Sequence, residues 1–122
     1  MILADTSVWI DHLHHGNPAM IDLLANGKVL MHPFVVGEVG LGSMPDWDRV
    51  MVRLMKLPAV RKASDRVVIG MIGQKRLQGS CIGYVDAHLL GSCLIEDDTY
   101  LWTRDRRLAN VAARLGVDAT TA

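Results

Sequence analysis

The chain has 122 residues, of which 50% are apolar and 21% are charged, and its 13 basic residues balance its 13 acidic residues. This length and composition indicate one globular domain with its own core. Zero net charge argues against a nucleic-acid binder that relies on a general basic surplus, although it allows a local basic patch.

Short apolar runs alternate with segments of helical periodicity along the whole chain. In order, the pattern predicts a strand at 2–5, helices at 8–14 and 19–25, a strand at 29–31, helices that begin near 33 and 45, helices at 66–78 and 84–93, a strand at 100–103, a helix at 106–115 and a short strand from 117. The alternation favours an α/β layer fold with a parallel sheet. We see no internal repeat or linker, and we therefore expect a single domain over residues 1–117 and a loose tail over 118–122.

The cysteine count and the apolar runs bear on cellular location. Cys81 and Cys93 are the two cysteines, too few for a disulfide framework, and we expect both to be reduced and mostly buried. Asp5 breaks the first apolar stretch, and no uncharged run approaches the ~20 residues that span a bilayer. We expect a soluble, cytoplasmic protein.

Four acidic residues stand where a charge is locally unfavourable, because each ends or interrupts an apolar run: Asp5, Glu38, Asp86 and Asp105. A buried carboxylate is costly unless it has a partner or binds a metal. Asp5 and Asp105 follow predicted strands, and the carboxyl ends of parallel strands meet at one edge of a sheet. Asp86 lies early in a helix, and Glu38 lies on the helix after the second strand. We therefore expect the four carboxylates to converge on one pocket.

The ligand type predicts the metal and the chemistry. Carboxylates without a nearby cysteine or paired histidine suit Mg²⁺ or Mn²⁺. Such ions can activate a water molecule and stabilise the leaving oxygen in phosphodiester cleavage, which predicts hydrolysis of a nucleic acid. Any one of the acids could instead be a helix cap or a salt-bridge partner, and Glu38 in particular could pair with an arginine.

Parts of the sequence resemble the PIN-domain ribonucleases, and most closely the VapC toxins of prokaryotic toxin–antitoxin pairs. The matching parts are residues 4–11 (ADTSVWID), Glu38, residues 84–88 (YVDAH) and residues 102–108 (WTRDRRL). The resemblance extends from Ile2 to about Val117. It implies a PIN-like, Rossmann-like α/β/α sandwich with a central parallel sheet of four to five short strands, and Mg²⁺- or Mn²⁺-dependent RNA cleavage.

The resemblance also implies roles for individual residues. Asp5 and Asp86 would be the main metal ligands, Glu38 would hold the metal or orient the water, and Asp105 would contribute to a second or weaker metal position. The polar positions that flank such a site correspond here to Thr6, Ser7 and Thr103. Members of this family usually form homodimers and are silenced by a small, VapB-like antitoxin that covers or enters the active site.

Three arginines beside Asp105 have two interpretations. Arg104, Arg106 and Arg107 could contact RNA phosphates, or they could be solvated or paired with the acids at 96–98.

The histidines are similarly ambiguous. His12, His14 and His15 could contact a metal or RNA, but a solvated helix end is the favoured interpretation. For His88, a core or helix-surface position is favoured over substrate contact. The alternative function for the whole chain is a non-catalytic PIN-like binding module that acts through an antitoxin–DNA complex.

Overall fold

The computed structural model describes residues 1–121. In chain order its elements are β1 (Ile2–Ala4), α1 (Thr6–His15), α2 (Pro18–Ala25), β2 (Val29–Leu30), α3 (Pro33–Gly40), α4 (Trp47–Met55), α5 (Asp65–Gln74), α6 (Tyr84–Ile95), β3 (Tyr100–Trp102), α7 (Arg106–Arg114) and a 3-10 turn (Ala119–Thr121). The predicted α/β fold is confirmed.

All the strands of the sheet run parallel, in the order β2–β1–β3. Isolated parallel bridges join Met31 to Ala59 at one edge and Leu101 to Asp118 at the other. The described chain thus has three continuous strands with a single bridged residue beyond each edge, where four to five strands were expected. Asp118, the first residue of the expected tail, lies at one of these edges, and Ala122 at its end lies outside the described residues.

Helix α6 is the most deeply buried helix. Its central residues Ala87–Cys93 are all buried, so the helix is surrounded by the rest of the core. Enclosure on every side agrees with an apolar pattern that shows no clear polar face. Helix α6 is 12 residues long. Within residues 1–121, no helix has the length and apolar character needed to cross a membrane. This packing holds α6 in a fixed position and therefore also holds the residues at its amino end in place.

The packing of α3 against α4 depends on Gly40. A Cβ at this position would lie 2.8 Å from Met51 Cε, a distance that requires a shift of the methionine. Trp47 Nε1 donates a hydrogen bond to the Gly40 carbonyl at 2.8 Å. The glycine therefore permits the close approach that places α3, the helix carrying Glu38, against its neighbour.

Helix α5 is shorter than predicted, because it ends at Gln74 and not at residue 78. Arg76 adopts a left-handed backbone conformation with φ of 54°, and Leu77 N donates to the Ile72 carbonyl at 2.9 Å. This pattern closes the helix and turns the Leu77 side chain into the core, where it is 4% exposed. Burial of Leu77 ends the helix here, although the helical spacing in the sequence continues.

The two cysteines differ in environment. Both are free, but Cys81 is exposed and only Cys93 is buried, so the expectation of burial is wrong for Cys81. Burial raises the pKa of the Cys93 thiol to about 12.

His32 is a fully buried histidine that caps α3. Its Nδ1 accepts the Phe34 N–H at 3.0 Å, and its Nε2 has no hydrogen-bond partner among the described residues. Burial, followed by the nearby His88 and Lys62, lowers the pKa of His32 to about 4 from an ordinary value of 6.5. The folded protein therefore holds this imidazole neutral.

We expect His32 to make the protein less stable in acid. Between pH 6.5 and about 4 the unfolded state binds a proton that the folded state excludes, so the free energy of unfolding falls as the pH is lowered through this range. One proton contributes at most about 1.4 kcal/mol per pH unit. His32→Asn keeps an acceptor for Phe34 N–H and should flatten the pH dependence measured by urea unfolding between pH 4 and 7. His14→Asn, on an exposed histidine, is the control, and equal slopes for wild type and His32→Asn would contradict the assignment.

Candidate active site

Asp5 lies between the end of β1 and the start of α1, and it is only 5% exposed. Its Oδ1 accepts the Val8 N–H at 3.1 Å and the Ser7 hydroxyl at 2.6 Å. The first of these bonds caps α1, because it satisfies a backbone donor that has no partner inside the helix. A buried carboxylate is stabilised by such donors, and its orientation is fixed.

Thr103 connects Asp5 to the end of β3. Its hydroxyl donates to Asp5 Oδ2 and accepts the Asp105 N–H at 3.0 Å. Ser7 Oγ accepts the Arg104 N–H at 3.0 Å, so a second hydroxyl joins the same two segments. The carboxyl ends of β1 and β3 therefore meet through side chains as well as through the sheet.

Asp105 caps α7. Its Oδ1 accepts the Arg107 N–H at 2.8 Å and the Leu108 N–H at 3.3 Å. The positive end of the helix dipole also favours a carboxylate here. The side chain is exposed to solvent, unlike that of Asp5.

Asp86 and Glu38 reach the same region from two further helices. Asp86 Oδ2 accepts the Gly83 N–H at 3.0 Å, at the start of α6. Glu38, on α3, accepts the Thr6 hydroxyl on Oε1 at 2.6 Å, and Thr6 directly follows Asp5. Helices α1, α3 and α6 thus each contribute to the positioning of a carboxylate near the end of β1.

The four carboxylates interact electrostatically. The pKa of Asp86 is raised, first by burial and then by the charges of Asp5, Asp105 and Glu38, while the Gly83 N–H acts in the opposite direction. The influence of these three charges on Asp86 indicates that the four carboxylates lie in one region of the protein. Their assignment as a catalytic set remains a prediction.

The donor set of this site is chemically suited to a hard cation, because every one of its four acids offers carboxylate oxygens. Within residues 1–121, however, no three His, Cys, Asp or Glu side chains form a group placed to hold a metal ion directly. Each of the four carboxylates instead accepts hydroxyl or N–H donors of the protein. Mg²⁺ keeps several of its waters when bound, so it can be held without three side chains that contact it directly.

The arginines beside Asp105 are not equivalent. Arg104 Nη1 pairs with Asp11 Oδ1 at 2.7 Å, so its partner is not one of the acids at 96–98. Burial acts to raise the pKa of Asp11, but Arg104 and His15 lower it overall. Asp11 is not among the predicted site residues; its position four residues before His15 on one helix predicts the contact with His15 but not the one with Arg104. Arg106 and Arg107 remain exposed.

His12, His14 and His15 lie at the opposite end of α1 from Asp5. His12 Nδ1 accepts the Asn17 N–H at 3.0 Å, His15 Nδ1 lies 3.4 Å from Asp11 Oδ1, and His14 is exposed. At ~1.5 Å per residue, the helix axis separates these residues from Asp5 by roughly 10–15 Å. The structure does not bring them to the carboxylates.

His88 is a core histidine, as favoured from the sequence. It is fully buried, with the ring centroids of Tyr84 and Phe34 at 4.7 and 4.8 Å from its own. Its Nε2 lies 2.9 Å from Asp65 Oδ1, although the contact does not have hydrogen-bond geometry. Tyr84 donates its hydroxyl to the same Asp65 oxygen at 3.1 Å.

Comparison with known proteins places this arrangement in context. Residues 2–114 match the family model described as PIN domain. The chain is 40% identical over 117 residues to Ribonuclease VapC32 of Mycobacterium tuberculosis, in both strain CDC 1551 / Oshkosh and strain ATCC 25618 / H37Rv. In each case the match covers 96% of this chain and 94% of the relative.

A solved structure, that of PAE2754 from Pyrobaculum aerophilum, has a similar fold. The TM-score is 0.65 at 17% sequence identity, and the match covers 91% of this chain and 84% of that one. At this low identity the likeness supports the fold alone, and it agrees with the α/β architecture described above.

Asp86→Asn should not destabilise the metal-free protein. The amide oxygen can still accept the Gly83 N–H, while the repulsion from the other carboxylates is lost. The pKa of Asp86 is higher in the folded protein than in the unfolded chain. The free energy of unfolding of wild type therefore falls as the pH rises through the folded-state pKa, and the protein is less stable once Asp86 is charged. In chelator at neutral pH, the free energy of unfolding of Asp86→Asn should equal or exceed that of wild type, and any gain should vanish near pH 3.

Chemical denaturation followed by circular dichroism measures this difference. Asp22→Asn, on the exposed face of α2, is the matched control and should have little effect. A large loss of stability in Asp86→Asn alone would show that the carboxylate is structural.

Proposed function

The chain belongs to the PIN domain family, and we propose from this membership that it is a metal-dependent endoribonuclease, the toxin of a toxin–antitoxin pair. We place the activity in a single domain over residues 1–117. The observation that carries the proposal is the convergence of Asp5, Glu38, Asp86 and Asp105, in which Thr103 joins Asp5 to Asp105, Thr6 joins α1 to Glu38, and the other three charges act on Asp86, in a chain 40% identical to a named ribonuclease. The reaction is hydrolysis of RNA phosphodiester bonds.

We assign the ion, Mg²⁺ or Mn²⁺, chiefly to Asp5 and Asp86. Glu38 holds the ion or orients the attacking water, and Asp105 contributes to a second or weaker position. When bound, the ion supplies the positive charge that lowers the pKa of a water molecule and stabilises the leaving oxygen. The raised pKa of Asp86 supports this assignment, since burial is its main cause and the charges of Asp5, Asp105 and Glu38 add to it, and a cation would offset that added repulsion.

Some carboxylate oxygens of the site accept hydrogen bonds from the protein, and others do not. Both oxygens of Asp5 accept protein donors, so Asp5 is held in one orientation. Glu38 uses Oε1 for Thr6, and Asp86 uses Oδ2 for Gly83. Among the described residues, Glu38 Oε2 and Asp86 Oδ1 accept no protein hydrogen bond. The free oxygen of Asp86 is therefore open to the ion, and that of Glu38 is open to the ion or to a water molecule.

We further propose an RNA substrate, a small VapB-like antitoxin as partner, a homodimer, and a cytoplasmic location. Large apolar side chains on the surface support contact with protein partners: Leu41 is 90% exposed, Met55 72% and Ile69 61%. Covering such side chains with a partner surface removes apolar area from water, which is favourable.

Cleavage of RNA should depend on both the metal and Asp5. Purified protein should cut single-stranded RNA with Mg²⁺ or Mn²⁺, lose activity in chelator and regain it when metal is restored. Asp5→Asn should lower kcat/KM by at least about 100-fold, because a main metal ligand is weakened. Gel-resolved cleavage of a labelled RNA measures the rate, and Mn²⁺ binding followed by electron paramagnetic resonance gives a second readout.

Asp22→Asn is again the matched control and should retain full activity. Cleavage by metal-free Asp5→Asn protein at the wild-type rate would exclude the proposed mechanism. Wild-type protein that neither binds Mn²⁺ at millimolar concentration nor cuts RNA would favour the non-catalytic binding module.

Thr103 should act as a positioning residue. Thr103→Val removes the hydroxyl that connects Asp5 with the Asp105 backbone, while the shape of the side chain is kept. We expect a loss of metal affinity and activity of about 10- to 100-fold, typical of a lost partner of a metal ligand. Thr103→Ser retains the hydroxyl and should remain close to wild type in Mn²⁺ titrations. Equal behaviour of the Val and Ser variants would contradict this role.

A further inference from the structure

A basic groove lies between α7 and the loop that follows α5. It has a volume of about 430 Å³. Its polar lining consists of three arginines and three uncharged side chains: Arg76, Arg107, Arg114, Gln78, Ser80 and Asn110. We call this surface the arginine groove.

Two separate segments produce the arginine groove. On α7, residues 107, 110 and 114 follow helical spacing and form one polar stripe. Arg76 reaches the same groove from the opposite wall, directly after the end of α5. The three positive charges come together only in the folded chain, because Arg76 and Arg107 lie 31 positions apart in the sequence.

These arginines have no acidic partner within residues 1–121. All three are exposed, and none forms a salt bridge with a described carboxylate, whereas Arg104 pairs with Asp11 at 2.7 Å. An unpaired guanidinium keeps its donors available, and its planar fork matches the geometry of a phosphate.

The arginine groove and the candidate active site are connected through two segments of the chain. Arg107 donates its backbone N–H to Asp105 Oδ1 at 2.8 Å, while its side chain lines the groove. On the other wall, the loop that contains Ser80 leads to Gly83, whose N–H binds Asp86 Oδ2. Each wall is therefore linked along the chain to a backbone N–H that binds one of the four carboxylates.

We propose that the arginine groove binds the phosphodiester backbone of the RNA substrate next to the bond that is cut. This inference rests on the proposed ribonuclease function and names the surface that overcomes repulsion between RNA and the four carboxylates. Phosphate contacts of this kind position a nucleic acid without reading its sequence. Gln78 and Asn110 add donors and acceptors suited to the sugar.

An acidic segment of a protein partner is the other anion that the groove could attract. Of the lining side chains only Val111 is apolar, and it is buried. Protein segments usually gain their affinity from apolar or aromatic anchors in a pocket. The charge and polarity of the arginine groove therefore favour RNA.

The double variant Arg76→Ala/Arg114→Ala tests the proposal without a change in any of the four acids. Binding of a fluorescein-labelled single-stranded RNA is measured by anisotropy in chelator, where no cleavage occurs. We expect Kd to rise about tenfold or more, as for the loss of hydrogen bonds to charged groups. The slope of log K against log salt concentration should become smaller by about 1.4, from two phosphate contacts at ~0.7 each.

Arg49→Ala/Arg53→Ala is the matched control, because it removes the same charge from the exposed face of α4. It should leave Kd and the salt slope near wild-type values. With Mg²⁺ present, the groove variant should raise KM for a long RNA and leave kcat unchanged. Unchanged melting temperatures would show that both variants remain folded.

Equal RNA affinity and salt slope in the groove and control variants would overturn the proposal. It would also be overturned if the groove variant lost binding only to a poly-glutamate peptide, since the groove would then serve a protein. If wild type neither binds nor cuts RNA, the ribonuclease proposal itself fails. If wild type cuts RNA and the groove variant matches the control, only the groove assignment fails.

Discussion

The carboxylate of Asp5 is the group on which the geometry of the site depends. A nearly buried anion at the end of a central strand requires donors, and here they come from α1 and from the segment after β3. The same hydrogen bonds that satisfy the charge also cap a helix and join two strand ends. Stability and placement of the reactive groups therefore share one set of contacts, and the site cannot rearrange without a change in the surrounding fold.

Much of the fold and of the site follows from local rules. Alternating periodicity predicted the order of the elements. Because the carboxyl ends of parallel strands meet at one edge of a sheet, the sequence also predicted that Asp5 and Asp105 lie close together, although they are 100 residues apart. Three features depended on tertiary packing and were not predictable. Leu77 ends α5 early because the core accepts its side chain, Arg104 pairs with Asp11 on another element, and the edges of the sheet extend by single bridges.

Zero net charge conceals a strong separation of charge in this molecule. Four carboxylates collect at the ends of β1 and β3, while three arginines without acidic partners in residues 1–121 line the adjacent groove. Field strength near a surface depends on such local arrangements and not on the sum over the chain. Composition alone therefore gave no indication of the groove, because its charges lie on segments that are distant in sequence.

The different environments of Cys81 and Cys93 have a practical consequence. A thiol whose pKa is near 12 and which lies inside a packed helix reacts poorly with maleimides at neutral pH, whereas Cys81 is open to solvent. Cys81 stands two residues before Gly83, the residue whose N–H holds Asp86. The natural chain thus offers one attachment point for a fluorescent dye near the amino end of α6, and a change in its emission on addition of Mg²⁺ would test for the proposed ion without an engineered cysteine.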